Sequence, residues 1–202
     1  MKYSAVIFDL GGVLINLDYQ KTIRAFQELG VNNFGEMYSQ ASQTNLFNDF
    51  ETGKISAQRF VNALLGYVPA GISPNKIVQA WNAMILDVPV ERLKLLLQLR
   101  EKLPVFLLSN TNSLHVPVVR REWAKSSEMP MEAYFNKIYF SYEINLRKPN
   151  QEIFDFVCNE QELDKESTLF IDDTLQHIEG AASAGLKTFH LTNPTDLIQI
   201  FS

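Results

Sequence analysis

One cysteine, Cys158, stands in the whole 202-residue chain. An internal disulfide is therefore excluded, and a reducing compartment fits. A lone cysteine in an apolar helical pattern reads as a small core residue. Basic side chains are also in short supply: 18 Lys and Arg face 23 Asp and Glu, a net charge of −5. Nucleic-acid binders usually show a basic patch, so no nucleic-acid partner is expected, and a phosphorylated ligand would have to be held by local positive charge. No apolar run is long enough to span a bilayer, so no membrane partner is expected. The first apolar run is cut by Asp9 and preceded only by Lys2. This is not the pattern of a secretory leader, and a cytoplasmic protein is expected. Repeats and low-complexity tracts are missing. The three histidines, His115, His177 and His190, have no ligand-like spacing, so surface or helix-end positions are expected. His177 is the one that a site near Asp173 could reach.

What the chain does have is a core: 46% of its residues are apolar, enough for one domain, or one domain with a small accessory unit. Its organising stretch runs from Ala5 to Leu14. The apolar run Val6 to Phe8 reads as a buried strand. It delivers one carboxylate, Asp9, and breaks at Gly11-Gly12, a pair that suits a tight loop with backbone close to something else.

From Asp18 to Leu86 the pattern is helical. Asp18 suits an N-cap for a helix carrying Ile23, Phe26 and Leu29, with Gly30 just past its end. A second helical piece is predicted over 34–42. Residues 50–55 read as a polar turn centred on Gly53. Ser56 caps a helix with Phe60, Ala63, Leu64 and Tyr67 on one stripe. Ser73-Pro74 starts another, carrying Ile77, Trp81, Met84 and Ile85. Beyond Pro89 an α/β rhythm returns. Strands are predicted over 105–108, 137–141, 168–171 and 187–191, with helices over 90–102, 113–125, 152–163 and from 175 to Gly185. Strands separated by helices imply right-handed crossovers and a parallel sheet. The expected architecture is therefore α/β, a Rossmann-like parallel sheet core of residues 1–16 and 88–202. A small all-helical cap, residues 17–87, is inserted after the first strand.

The chemistry-bearing residues fall at strand ends. Strand one ends in Asp9, strand two in Ser109-Asn110, and strand four in Asp172-Asp173, while Lys148 lies beyond strand three. In a parallel sheet these ends share one edge, where open α/β folds bind ligands. Carboxylates gathered there can hold a hard cation such as Mg²⁺. The Ser109 hydroxyl and nearby backbone N–H groups can bind phosphate oxygens, and Lys148 supplies a compact positive charge against phosphate and Asp9. Nucleophilic carboxylate, cation, hydroxyl and lysine together suit phosphoryl transfer through an aspartyl-phosphate.

These motifs, in this order, resemble the haloacid dehalogenase superfamily over the whole chain. The resemblance is carried by Phe8-Asp9-Leu10-Gly11-Gly12-Val13-Leu14, by Ser109-Asn110, by Lys148-Pro149 and by Ile171-Asp172-Asp173, with Ile178-Glu179-Gly180-Ala181 and Gly185 following. It is strongest to the bacterial sugar-phosphate phosphatases that include α-glucose-1-phosphate phosphatases. The resemblance implies that Asp9 is nucleophile and metal ligand and that Gly11 offers its carbonyl to the metal. Asp173 would bind Mg²⁺ directly and Asp172 through water. Ser109 and the Asn110 backbone would hold the phosphate, and Lys148 would balance charge. A cap loop over the crevice would let Thr52 or Lys54 touch the substrate.

One position departs from the common pattern. Most phosphatases of this superfamily carry a second Asp two residues after the nucleophile, to protonate the leaving group and activate water. Here the residue is Gly11, which can do neither. The expectation is a Mg²⁺-dependent phosphatase of a small phosphorylated metabolite, a sugar phosphate, with sugar 1-phosphates favoured for their less basic leaving oxygen, working as a monomer or weak dimer. The alternatives are a catalytically silent relative that binds a phosphorylated ligand or a protein, and a dehalogenase-like hydrolase. The pair Asp172-Asp173 speaks for metal and against dehalogenation.

Overall fold

The computed structural model describes residues 2–36, 38 and 44–201. Five strands, β1 (Ala5–Phe8), β2 (Val105–Ser109), β3 (Lys137–Phe140), β4 (Thr168–Asp172) and β5 (Lys187–His190), form one sheet in the order β3-β2-β1-β4-β5. All neighbours pair in parallel. The three central strands are buried along their whole length, while β3 and β5 open toward solvent at the edges.

Side-chain alternation along the strands divides the core. Val6, Phe8, Leu107 and Ile171 pack on one face with α5 (Val90–Arg100), α6 (His115–Ser126) and Leu197. Ile7, Phe106 and Phe170 pack on the other with α8 (Gln151–Glu160) and α9 (Leu175–Ser183). Cys158 and Trp123 are buried in these clusters, as packing residues. Truncating a buried ring such as Phe8 to alanine costs about 3–5 kcal/mol.

The helical segment has its own apolar core. Phe26, Phe50, Phe60 and Trp81 gather from α1 (Tyr19–Glu28), α2 (Leu46–Glu51), α3 (Ala57–Leu65) and α4 (Pro74–Asn82). Phe50 stacks on Phe60 with ring centroids 4.1 Å apart. The Asp18 carboxylate accepts from Gln20 N at 2.9 Å and the Ser56 hydroxyl from Arg59 N at 3.3 Å, so both sequence-read N-caps form. Ser73 starts α4 without a side-chain cap bond. The entering and leaving chains pair where they cross: Leu86 N donates to Asn16 O and Asn16 N to Asp87 O, each 3.0 Å.

Three expectations need correction. The segment read as a polar turn over 50–55 is helical up to Glu51, because Leu46, Phe47 and Phe50 bury one face. Six residues are too few to show a helical period in sequence. Met84 and Ile85 do not continue α4, which stops at Asn82; Ile85 instead bridges Leu17. The third strand, expected over 137–141, stops at Phe140, and Ser141–Ile144 form a short helix, α7. Most of the helical piece expected over 34–42 lies outside the described residues, of which 34–36 are helical. Among the described residues no helix is long and apolar enough to cross a membrane.

Candidate active site

The sheet register builds the site. β1 and β4 lie side by side with Phe8 opposite Ile171, so Asp9 and Asp172 emerge together at the C-terminal edge. Between them stands Lys148. Its Nζ donates to Asp9 Oδ1 and to Asp172 Oδ2, both at 2.6 Å, and the lysine is fully buried. Removing Lys148 from such a buried ion group costs about 3–5 kcal/mol, because the two carboxylates then keep their charge without a partner.

Each carboxylate has its own surroundings. Burial pushes the Asp9 carboxyl above the usual range, against the pull of Lys148. Burial works in the same direction on Asp172, but Lys148 and His177 outweigh it and hold that group below the usual range. For Lys148, burial disfavours the ammonium, and the two carboxylates more than offset it. Asp172 also accepts from Thr174 N at 2.8 Å and from His177 Nδ1, 3.0 Å from each oxygen. Asp173 is less engaged. Its Oδ1 accepts from the Thr174 hydroxyl at 3.3 Å, and burial followed by the neighbouring Asp172 raises its pKa.

Asp9, Asp172 and Asp173 offer ligand atoms that all lie within 4.8 Å of one another. Three carboxylates against one lysine leave a local negative excess, which suits a hard divalent cation. Asp172 already accepts from three donors, Lys148, Thr174 and His177, whereas Asp173 is freer to bind a cation directly. Gly12 makes room for it. At φ 71° this glycine sits where an L side chain is strained, and a Cβ there would come within 2.2 Å of Asp173 Oδ2.

Ser109 ends β2 and is buried; among the described residues its hydroxyl has only a 3.5 Å contact with the Asn110 carbonyl, which leaves it available to a ligand. The Asn110 side chain does something the sequence did not suggest: it bonds the Lys148 backbone, with its Nδ2 donating to Lys148 O and its Oδ1 accepting from Lys148 N, each at 2.9 Å. Gly180 of α9 seats the same segment from the other side. A Cβ at Gly180 would come within 2.2 Å of the Pro149 carbonyl.

A cavity of about 400 Å³ opens beside this group, between sheet edge and helical segment, with Gly11, Ser109 and Asn110 on its floor and Tyr19, Glu51 and Trp81 among its walls. Thr52 and Lys54 do not line it. The Thr52 hydroxyl is committed to Asn48 O at 2.7 Å, and Lys54, largely exposed, has Nζ 3.9 Å from Asp49. Their neighbour Glu51 faces the cavity instead.

The histidines matter more than their spacing suggested. His177 holds Asp172, and His190 Nε2 donates to the Asp173 carbonyl at 3.0 Å. His115 begins α6, stacks on Trp81 at 5.3 Å and bonds Asn82 Oδ1 at 2.7 Å; burial pushes it down to about 4. The position of His177 five residues past Asp172, on the first turn of the next helix, was the available signal.

Comparison with known proteins gives a consistent answer. A family model described as haloacid dehalogenase-like hydrolase matches residues 3–185. The chain is 34% identical over 196 residues to the D-ribitol-5-phosphate phosphatase of Bacteroides thetaiotaomicron, a match covering 95% of this chain and 93% of that relative. A HAD family enzyme of the same organism, crystallised with magnesium and inorganic phosphate, superposes with TM-score 0.86 at 36% identity, covering 93% of each chain. A HAD-like hydrolase of Porphyromonas gingivalis superposes with TM-score 0.85 at 27% identity over the full length of both.

Proposed function

This chain belongs to the haloacid dehalogenase-like hydrolases, and on that premise we propose that it is a Mg²⁺-dependent phosphatase of a small phosphorylated metabolite, working through an aspartyl-phosphate, an acyl phosphate, on Asp9. The observation that carries the reading is Lys148, bonded at 2.6 Å to both Asp9 and Asp172 within a cluster of three carboxylates.

In this reading Asp9 attacks phosphorus. Lys148 holds the carboxylate in place and offsets charge on the transferring phosphate. The Ser109 hydroxyl and the Asn110 N–H receive phosphate oxygens. Asp9, Asp173 and the Gly11 carbonyl would hold Mg²⁺, with Asp172 one water removed. Bound there, the ion would neutralise the phosphate and draw it toward Asp9. Residues 17–87 serve as a cap over the core of residues 1–16 and 88–202. The relatives support the chemistry: one acts on D-ribitol 5-phosphate, and one has been crystallised with magnesium and phosphate. Sugar and sugar-alcohol phosphates are therefore the substrates proposed, with sugar 1-phosphates compared against 5- and 6-phosphates.

Gly11 favours a second reading, a silent protein that binds a phosphorylated ligand without turning it over. A metabolite screen for phosphate release, with Mg²⁺ and with chelator, separates the two. The phosphatase reading expects Mg²⁺-dependent release, its loss in Asp9→Asn, and acid-stable trapping of phosphate on Asp9 in the wild type. Undiminished release from Asp9→Asn would overturn the covalent route.

A further inference from the structure

The leaving oxygen of a phosphate ester needs a proton, and Gly11 has none to give. A Cβ at Gly11 would come within 2.7 Å of Leu17 Cδ1 and would have to push the end of that side chain aside. The donor must come from another wall of the cavity. Among the described residues lining it, Glu51 is the only carboxyl.

Glu51 is the last residue of α2, and contacts to the sheet domain hold this end of the helix over the cleft. Arg147 Nη2 lies 3.0 Å from Glu51 Oε2, and the same guanidinium donates to Asn48 Oδ1. Asn145 Nδ2 donates to the Thr52 carbonyl at 2.7 Å. The following turn presses on α7, where a Cβ at Gly53 would come within 2.2 Å of the Tyr142 carbonyl. Residues 48–53 are thus anchored to 142–147, directly before Lys148. The Glu51 side chain is 27% exposed, so it is largely withdrawn from water and still open to the cavity.

We infer that Glu51 is a catalytic residue, giving the leaving oxygen the proton that Gly11 cannot supply and then taking one from the attacking water. The inference rests on the phosphatase reading above. In the first step an Asp9 oxygen bonds to phosphorus, the bond from phosphorus to the leaving oxygen breaks, and that oxygen takes the Glu51 proton. In the second, Glu51 carboxylate removes a proton from water as the water oxygen attacks the phosphorus of the aspartyl-phosphate. The bond from phosphorus to Asp9 breaks, phosphate leaves, and Glu51 is again protonated.

Burial keeps the Glu51 carboxyl above the usual range, against the opposing pull of Arg147, His177 and Lys148. The Tyr19 and Tyr38 hydroxyls also face it, and both are pushed upward, chiefly by desolvation. More Glu51 is therefore protonated near neutral pH than a solvated glutamate would be. None of the other titratable groups lining the cavity, Tyr19, Tyr38 and His115, can serve both steps. Tyr19, at about 12, and Tyr38, also pushed up by desolvation, stay protonated and cannot act as base at neutral pH, while His115, at about 4, carries no extra proton to give. With Glu51 in this role, the bias toward weakly basic leaving groups argued from Gly11 alone is no longer required.

The test compares full-length wild type, Glu51→Gln and Glu51→Asp with Mg²⁺ on phosphate monoesters from aryl to alkyl. The expected result is a loss of kcat/KM in Glu51→Gln that grows with the basicity of the leaving oxygen, to about 10²–10⁴-fold for alkyl esters. Glu51→Asp should recover part of it. The fall of wild-type kcat/KM with rising pH should vanish in Glu51→Gln. Matched melting curves show whether the variants fold; if Glu51→Gln does not, Glu51→Asp carries the test through the same graded loss and a shifted pH limb. An equal loss on every ester, or none, overturns the role of Glu51 and leaves the phosphatase reading standing. No release from any ester by the wild type overturns both.

Discussion

Asn110 and Lys148 grip each other through two hydrogen bonds of 2.9 Å, one in each direction between the asparagine amide and the lysine backbone. The residue that ends the motif after β2 thereby sets the position of the lysine between Asp9 and Asp172. Replacing Asn110 by alanine leaves a backbone N–H and a C=O without these partners, at a cost of about 1–3 kcal/mol for a buried group. Asn110→Ala should lose kcat with little change in KM, and Asn110→Asp should also lose stability, because it still accepts from Lys148 N but sets a carboxylate oxygen against the Lys148 carbonyl where the amide donated. Steady-state kinetics beside thermal melts check both.

Asp9 and Asp172 should respond in opposite ways to loss of charge. Asp172 has its folded pKa lowered, so its contribution to stability is present above its ordinary value of 3.8 and is lost as pH falls toward about 2. Asp9 has its folded pKa raised, so ionising it opposes folding as pH rises from 3.8 through about 6. In chelator-treated protein at neutral pH, Asp172→Asn should lower Tm and Asp9→Asn should hold or raise it, since each pKa unit corresponds to about 1.4 kcal/mol. Melting curves from pH 3 to 8 would show it, and a lowered Tm in Asp9→Asn would contradict the assignment.

Gly12→Ala should damage the acidic cluster more than it damages the fold. The backbone conformation at φ 71° costs an L residue about 1–2 kcal/mol, and the added Cβ would displace the Asp173 carboxylate. The expected outcome is a soluble protein with weakened Mg²⁺ affinity, measured by titration calorimetry. Unchanged affinity would mean that Asp173 is not a direct ligand.

Restoring an acid at position 11 requires moving Leu17. In Gly11→Asp the added Cβ would lie 2.7 Å from Leu17 Cδ1, the end of a flexible side chain, so Leu17 has to rotate aside and only a modest loss of stability is expected. Gly11→Asp combined with Leu17→Ala should fold better and, in a Glu51→Gln background, recover part of the activity on alkyl esters. Lack of any recovery in a folded triple variant would mean that a carboxylate at position 11 cannot reach the leaving oxygen here.

Much of this protein was legible in the chain itself. Apolar runs ending in Asp9, Ser109 and Asp172 marked buried parallel strands, because only a sheet covered on both faces takes such runs. Glycine at position 12 and the caps at Asp18 and Ser56 were equally readable, since backbone sterics and capping are local. What the sequence could not show depended on contacts between distant segments. The six-residue helix Leu46–Glu51 is held by packing rather than by a visible period. His177 bonds Asp172 because α9 returns over the strand end. The reach of Lys148 to two carboxylates follows from the grip of Asn110 on its backbone, and the choice of Glu51 rather than Thr52 or Lys54 to face the cavity follows from how the helical segment docks on residues 142–147. Local sequence determines where a strand ends and which residue ends it; only the packed chain decides which side chains share one low-dielectric space, and there their charges and protons become coupled.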